Sequence, residues 1–189
     1  MRSIRMAWVG VFVVVLAALA SSVATIGATG PILTCNGLTP TIVGSGVIHG
    51  TSGNDVIIGS AGDDVIYGGA GHDTICGQGG NDVIYGGSGH DEMWGEVQGQ
   101  KDLLIGTPGI DQIFGESGND LLVDFSSADQ LLEGGSGNDR ILGAGTLLGN
   151  SGNDTITLGA NGGTVDGGSG TDTCSGANVS AFVSCEVLS

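Results

Sequence analysis

Asp55, Asp64, Asp73, Asp82 and Asp91 stand nine residues apart, and the same string closes again on Asp111, Asp120, Asp139, Asp154 and Asp172. The six residues ending at these aspartates read GTSGND, GSAGDD, GGAGHD, GQGGND, GGSGHD, GTPGID, GESGND, GGSGND, GNSGND and GGSGTD, so all ten fit G-x-x-G-x-D. Such self-similarity is an internal repeat. Two places beyond each Asp comes an apolar residue or a cysteine: Ile57, Ile66, Ile75, Ile84, Met93, Ile113, Leu122, Ile141, Ile156 and Cys174. Carboxylates set in glycine-rich backbone supply hard oxygen donors, side-chain and carbonyl together. The chemistry they serve is divalent-cation binding. Ca²⁺ takes six to eight oxygens at about 2.3–2.6 Å in flexible geometry, whereas Mg²⁺ demands a near-octahedral shell and dehydrates reluctantly.

The repeat itself dictates what positions these groups. Three residues with one apolar centre make a short β-strand that points one side chain inward, and six Gly-rich residues suffice to reverse the chain. Two nine-residue units return the path to its start, so a coil closes every eighteen residues. Strands then stack at about 4.8 Å and the Ile/Leu column becomes a thin shared core. Every second loop aligns, which puts Asp55, Asp73 and Asp91 on one edge and Asp64 and Asp82 on the other. Carboxylates so close repel, and a cation between successive loops converts repulsion into attraction. Glycine is required where the loop needs positive φ and where backbones approach closely. A flexible linker shares this composition but has no reason to keep an apolar residue two places after every loop Asp.

The chain has 189 residues, 39 of them glycine and only 3 proline, with 20 acidic side chains against 4 basic ones and a net charge of −16. Too little proline is present for collagen. The charge opposes binding to nucleic acid phosphates and to anionic membrane surfaces. No GxSxG elbow, P-loop or HExxH motif occurs, and the three histidines have no convergent base and nucleophile, so the chain does not read as an enzyme.

Arg2 and Arg5 precede an apolar run from Met6 to Ala20, followed by small residues to Ala24. That order is a secretory signal peptide, assigned to residues 1–24, and it predicts a secreted protein, with a bacterial source expected. Residues 25–49 read as an N-terminal cap segment, 50–175 as the repeat domain and 176–189 as a C-terminal cap. An exported chain with four cysteines, Cys35, Cys76, Cys174 and Cys185, implies disulfides. An N-terminal flap crossing the face that carries Cys76 would join it to Cys35, and Cys174 with Cys185 would close the last coil. Stapled ends suit a solenoid, whose terminal coils otherwise expose core and strand edges.

The string G-x-x-G-x-D with an apolar residue two later resembles the RTX, or haemolysin-type, calcium-binding nonapeptide GGxGxDxUx. The likeness runs from about Gly50 to Ser175. It implies an all-β fold, a right-handed parallel β-roll with two nonapeptide half-turns per coil, and several Ca²⁺ ions between adjacent loops of one edge. Carried over position by position, the metal ligands are Asp55, Asp64, Asp73, Asp82, Asp91, Asp111, Asp120, Asp139, Asp154 and Asp172. Asp102 follows EVQGQK and Asp129 follows DFSSA, neither with the glycine spacing, so both stay outside that set; Leu131 is expected to hold the core position of its unit. Counting edges through these irregularities puts Asp120, Asp139, Asp154 and Asp172 on the second edge, facing loops without aspartate. One edge is therefore expected to bind calcium along most of its length and the other only in its N-terminal half.

Outward residues after the core position form two apolar rows, Ile58, Trp94, Phe114 and Leu132 on one face and Tyr67, Tyr85, Ile105 and Val123 on the other. They raise an alternative reading, an adhesin or matrix spacer that docks a protein or cell-surface partner, or another copy of itself. His72 and His90, eighteen residues apart, should be neighbours.

Overall fold

In the computed structural model, which describes residues 14–15, 33–126, 130–176 and 179–188, every apolar triplet after a loop aspartate of the repeat is a strand. The expected signal segment lies outside these residues, apart from Val14–Val15. The strands in chain order begin with β1 (Val14–Val15), β2 (Ile42–Val43), β3 (Val47–His49), β4 (Val56–Ile58), β5 (Val65–Ala70) and β6 (Thr74–Cys76). Then come β7 (Val83–Ser88), β8 (Glu92–Gln100), β9 (Leu103–Ile105), β10 (Gln112–Gly118), β11 (Leu121–Asp124) and β12 (Leu131–Ser136). The last are β13 (Arg140–Ser151), β14 (Thr155–Asp166), β15 (Thr173–Gly176), β16 (Val179–Val183) and β17 (Val187–Leu188). The described residues contain no helix, and none long and apolar enough to cross a membrane.

Apart from an antiparallel contact between β1 and β2, these strands pair in parallel. One face of the solenoid stacks β2, β4, β6, β8, β10 and β12, the other β3, β5, β7, β9 and β11; β13 and β14 turn the corner and contribute to both before β15 to β17. Register follows the period: Ile57 lies over Ile75 and Ile66 over Ile84, eighteen residues on. It stretches to twenty between Met93 and Ile113 and shrinks to fifteen between Ile141 and Ile156, and returns to eighteen through register shifts within the paired strands, between Glu116 and Gly118 and between Gly143 and Gly145. The core is a file of fully buried side chains, Ile57, Ile66, Ile75, Ile84, Met93, Leu104, Ile113, Leu122, Ile141 and Ile156 among them. Burying one such side chain contributes about 1.5–3 kcal/mol, and with a single large apolar residue per unit there is no second layer behind it.

Two expectations about individual side chains fail. Leu132, not Leu131, occupies the core, paired with Ile113 and Leu147 and fully buried. The segment from Asp124 to Gln130 is one residue longer than a regular loop, which shifts the phase by one. Ile58 is fully buried rather than outward, packed against Cys35 and Cys76 with Val56 and Trp94 beside them. The segment carrying Cys35 crosses this face and is held by the Cys35–Cys76 disulfide; Cys174–Cys185 forms the second bridge, at the C-terminal end.

Candidate metal centre

The loops place the aspartates in two files. Asp55, Asp73, Asp91 and Asp111 line the first edge, and Asp64, Asp82, Asp102, Asp120, Asp139, Asp154 and Asp172 line the second; none is more than 6 % exposed. Within each file the backbone N–H of one aspartate donates to Oδ1 of the next coil's aspartate. On the first edge Asp55 donates to Asp73, Asp73 to Asp91 and Asp91 to Asp111, each at 2.9 Å. On the second the ladder runs from Asp64 through Asp82, Asp102, Asp120, Asp139 and Asp154 to Asp172 at 2.8–2.9 Å, and Asp172 donates in turn to Glu186. Asp102, which the motif excluded, thus stands in file between Asp82 and Asp120. The two extra residues of its loop are taken up before the strand. Asp129 lies outside the described residues; the position in line with Asp111 is held by Gln130, whose carbonyl accepts from Thr146 as the loop aspartates' carbonyls do one coil on.

The second carboxylate oxygen divides the ten motif loops into two kinds. In seven, the Oδ2 atoms of Asp73, Asp82, Asp91, Asp120, Asp139, Asp154 and Asp172 are buried with no hydrogen-bond partner. The second residue of these loops, Gly69, Gln78, Gly87, Glu116, Gly135, Asn150 or Gly168, has positive φ in every case. Three are not glycine, and a non-glycine residue held in the left-handed region marks a loop whose shape is imposed by its surroundings. In the other three loops the second residue is Thr51, Ser60 or Thr107, without positive φ, and its N–H turns in to donate to the loop's own Oδ2. The first kind is open, its Oδ2 left without a donor, and the second is closed on itself.

Glycine builds the cradle. A Cβ on Gly77 would lie 2.3 Å from Asp82 Oδ2, and one on Gly86 would lie 2.6 Å from Asp91 Oδ2, so the first motif glycine leaves room for the carboxylate. The fourth position stacks backbone on backbone: a Cβ on Gly89, where φ is +143°, would meet the Gly71 carbonyl oxygen at 1.5 Å. Position five, variable in sequence, forms an outer ladder. Asn54 accepts from the His72 N–H, Asp63 from Asn81, Asn119 from Asn138 and Asn138 from Asn153. His72 and His90 stack with ring centroids 5.0 Å apart, the His90 N–H directed at His72 Nδ1 and the Ile110 N–H at His90 Nδ1. The Asn81 N–H holds Asp63 below the usual carboxylate range.

Burial of these carboxylates dominates their electrostatics. It pushes Asp73 and Asp139 up to about 6 and Asp82, Asp111 and Asp120 up to about 7, against the pull of the backbone N–H that each accepts. Asp91 and Asp154 are raised for the same reason. Stacked carboxylates without counter-charge resist ionising together, and only Lys101 and Arg140 supply positive side-chain charge beyond the first five residues. Unpartnered buried oxygens in a file, framed by carbonyl-rich loops, make a donor set suited to Ca²⁺.

The fold and its edges define a parallel β-solenoid that carries two files of buried aspartates. The family model of the RTX calcium-binding nonapeptide repeat matches residues 43–75, 77–98, 99–123, 126–146 and 142–174, and the chain belongs to that family. No curated protein matches the chain.

Asp124 escaped the sequence reading. It is 1 % exposed, its Oδ2 is among the unpartnered buried oxygens, and Ser126 donates to its Oδ1 through both N–H (2.8 Å) and Oγ (2.7 Å). The available signal was positional: Leu121 to Val123 lie over Leu103 to Ile105, so Asp124 stands where the preceding coil has Gly106, the first motif glycine.

Proposed function

We propose that the chain is a secreted, non-enzymatic calcium-binding β-roll whose ordering is coupled to Ca²⁺, with the ten motif aspartates and Asp102 as its carboxylate ligands. The observation that carries this reading is the set of buried Oδ2 atoms without hydrogen-bond partners in seven of the ten motif loops, each facing glycine rather than a side-chain donor. When bound, calcium supplies positive charge to neighbouring coils at once. The chain's own part is to hold each carboxylate by the inter-coil N–H bond and to present loop carbonyls around it. Sites of an extracellular module have affinities on the order of 10⁻⁴–10⁻³ M. Secretion is supported by Arg2, Arg5 and the apolar run that follows, and by two disulfides, which belong to oxidising compartments. A circular-dichroism titration tests the reading. β-Sheet signal should grow from chelator to millimolar calcium; identical spectra in the two would reject it.

A second reading, a calcium-dependent adhesin or spacer, is favoured by one observation. His49, Tyr67 and Tyr85 stack in a row at 5.0 Å centroid spacing on the outer face, with Tyr67 40 % exposed. Such a row offers ring edges and hydroxyls to a partner. Light scattering distinguishes the two, since self-association only in calcium favours the spacer.

A further inference from the structure

The first-edge file of aspartates ends at Asp111, and there the repeat departs from its own pattern in two ways. Loop 106–111 is a closed one, with the Thr107 N–H donating to Asp111 Oδ2 at 3.2 Å. The residue above Gly106 is Asp124 in place of glycine, and its side chain turns inward instead of out to solvent. A Cβ on Gly106 would meet Asp124 Oδ2 at 2.5 Å and Asp111 Oδ2 at 2.8 Å, so both carboxylates converge on the same few ångströms of space. Asp124 Oδ1 is satisfied by Ser126, but its Oδ2 is buried and has no partner. Two carboxylates this close, out of water and without a nearby base, are not stable as a pair of anions.

We infer that Asp111 and Asp124 together form a calcium site at the end of the first edge, in which Asp124 supplies from the neighbouring coil the free carboxylate oxygen that the closed loop of Asp111 withholds. The site lies outside the nonapeptide pattern, because the second ligand occupies a position that the motif reserves for glycine. Carbonyl oxygens complete a calcium shell in flexible loops. Asp124 Oδ2 is thereby given a partner and the file is closed where aspartates run out. The alternative is a proton shared between the two carboxyls, which would make Asp124 a plug that ends calcium binding on this edge.

This inference rests on the calcium reading of the roll, and the test separates the two. Native mass spectrometry of the full chain in saturating calcium at about pH 7.5 counts bound ions in wild type, Asp124→Asn, Asp124→Gly and the control Asp166→Asn. Asp124→Gly restores the glycine found one coil below and so retains the fold. The expected result is one ion fewer in both Asp124 variants, with the control unchanged. A wild-type count in the Asp124 variants, or a higher one, overturns the site while leaving the calcium roll intact. A wild-type chain that binds no calcium overturns the roll itself. Lanthanide soaked into wild-type crystals gives an independent answer: an anomalous peak within ligand distance of both Asp111 and Asp124 is expected, and its absence beside occupied sites elsewhere refutes the proposal.

Discussion

The backbone N–H of Asp73 donates to Oδ1 of Asp91, one coil on, at 2.9 Å, while Oδ2 of the same carboxylate has no partner. One bond therefore does two things. It locks neighbouring coils in register, and it holds the carboxylate so that the remaining oxygen is oriented by backbone. The N–H to Oδ1 bond repeats along the second edge from Asp64 to Asp172, so the carboxylates stand pre-aligned and the cost of the arrangement is electrostatic rather than geometric.

That cost predicts an inverted pH dependence. Folded-state values of about 6 for Asp73 and Asp139 and about 7 for Asp82 and Asp120 exceed the unfolded value of about 3.9. Between those limits the folded chain holds more protons than the unfolded one, so the calcium-free roll is most stable near or below about pH 4 and loses stability as pH rises toward 7. In chelator, β-sheet circular dichroism should be stronger at about pH 5 than at about pH 8. In calcium the order reverses, because protons compete for the same oxygens: the calcium midpoint should rise as pH falls below about 7. A chelator profile that is flat over this range contradicts the assignment.

Open and closed loops should differ in how much their aspartates matter for binding. Asp91→Asn and Asp139→Asn remove charge from oxygens that nothing else satisfies, and each should raise the calcium midpoint about tenfold or more, the scale on which even supporting groups act at metal sites. Asp55→Asn alters a carboxylate whose Oδ2 already accepts from the Thr51 N–H and Oγ1, and should shift the midpoint far less. Isothermal titration of the three variants measures the contrast; equal shifts would show that loop closure has no bearing on calcium.

The all-strand parallel solenoid was legible because each unit repeats two independent signals, the loop glycines and the apolar residue two places after Asp. The reading failed where only one survived. Between Asp124 and Gln130 the glycines are gone, and a single extra residue moved the core from Leu131 to Leu132. Asp102 lost its glycine spacing but kept its place in file, since the ladder from Asp82 to Asp120 depends on strand register and not on the loop between. Ile58 reads as outward by local periodicity; only the tether of Cys35 to Cys76, 41 residues away in sequence, buries it. The open and closed loops were visible as Thr or Ser against other residues at position two, but their meaning lies in a backbone angle that composition does not reveal.

Two glycines at the same motif position should respond differently to alanine. Gly89 sits over the preceding coil, with φ at +143° and the Gly71 carbonyl oxygen 1.5 Å from where a Cβ would go. Gly53 lies in the first loop of its edge, and its nearest neighbour is Thr51 Oγ1 at 3.9 Å. Gly53→Ala should stay within about 0.5 kcal/mol of wild type in calcium, whereas Gly89→Ala forces adjoining coils apart and should abolish cooperative unfolding or lower the melting temperature steeply. Thermal unfolding of both variants in calcium decides it, and similar stability for the two would refute the stacking argument.

The two disulfides should contribute unequally. Cys35–Cys76 closes a span of 41 residues and Cys174–Cys185 one of 11, for which loop-closure entropy alone gives about 4 and about 3 kcal/mol. The longer bridge does more than constrain the unfolded chain, because it holds the segment that covers Ile58. Without it that segment is free to leave, exposing a large apolar side chain on the β4 face, and the loss should exceed the entropic difference. The double variant Cys35→Ser/Cys76→Ser should therefore melt lower than Cys174→Ser/Cys185→Ser in calcium and bind an apolar dye that the latter does not. Equal melting temperatures with no dye binding would mean that the segment stays docked without its tether, and would reduce the bridge to a constraint on the unfolded state.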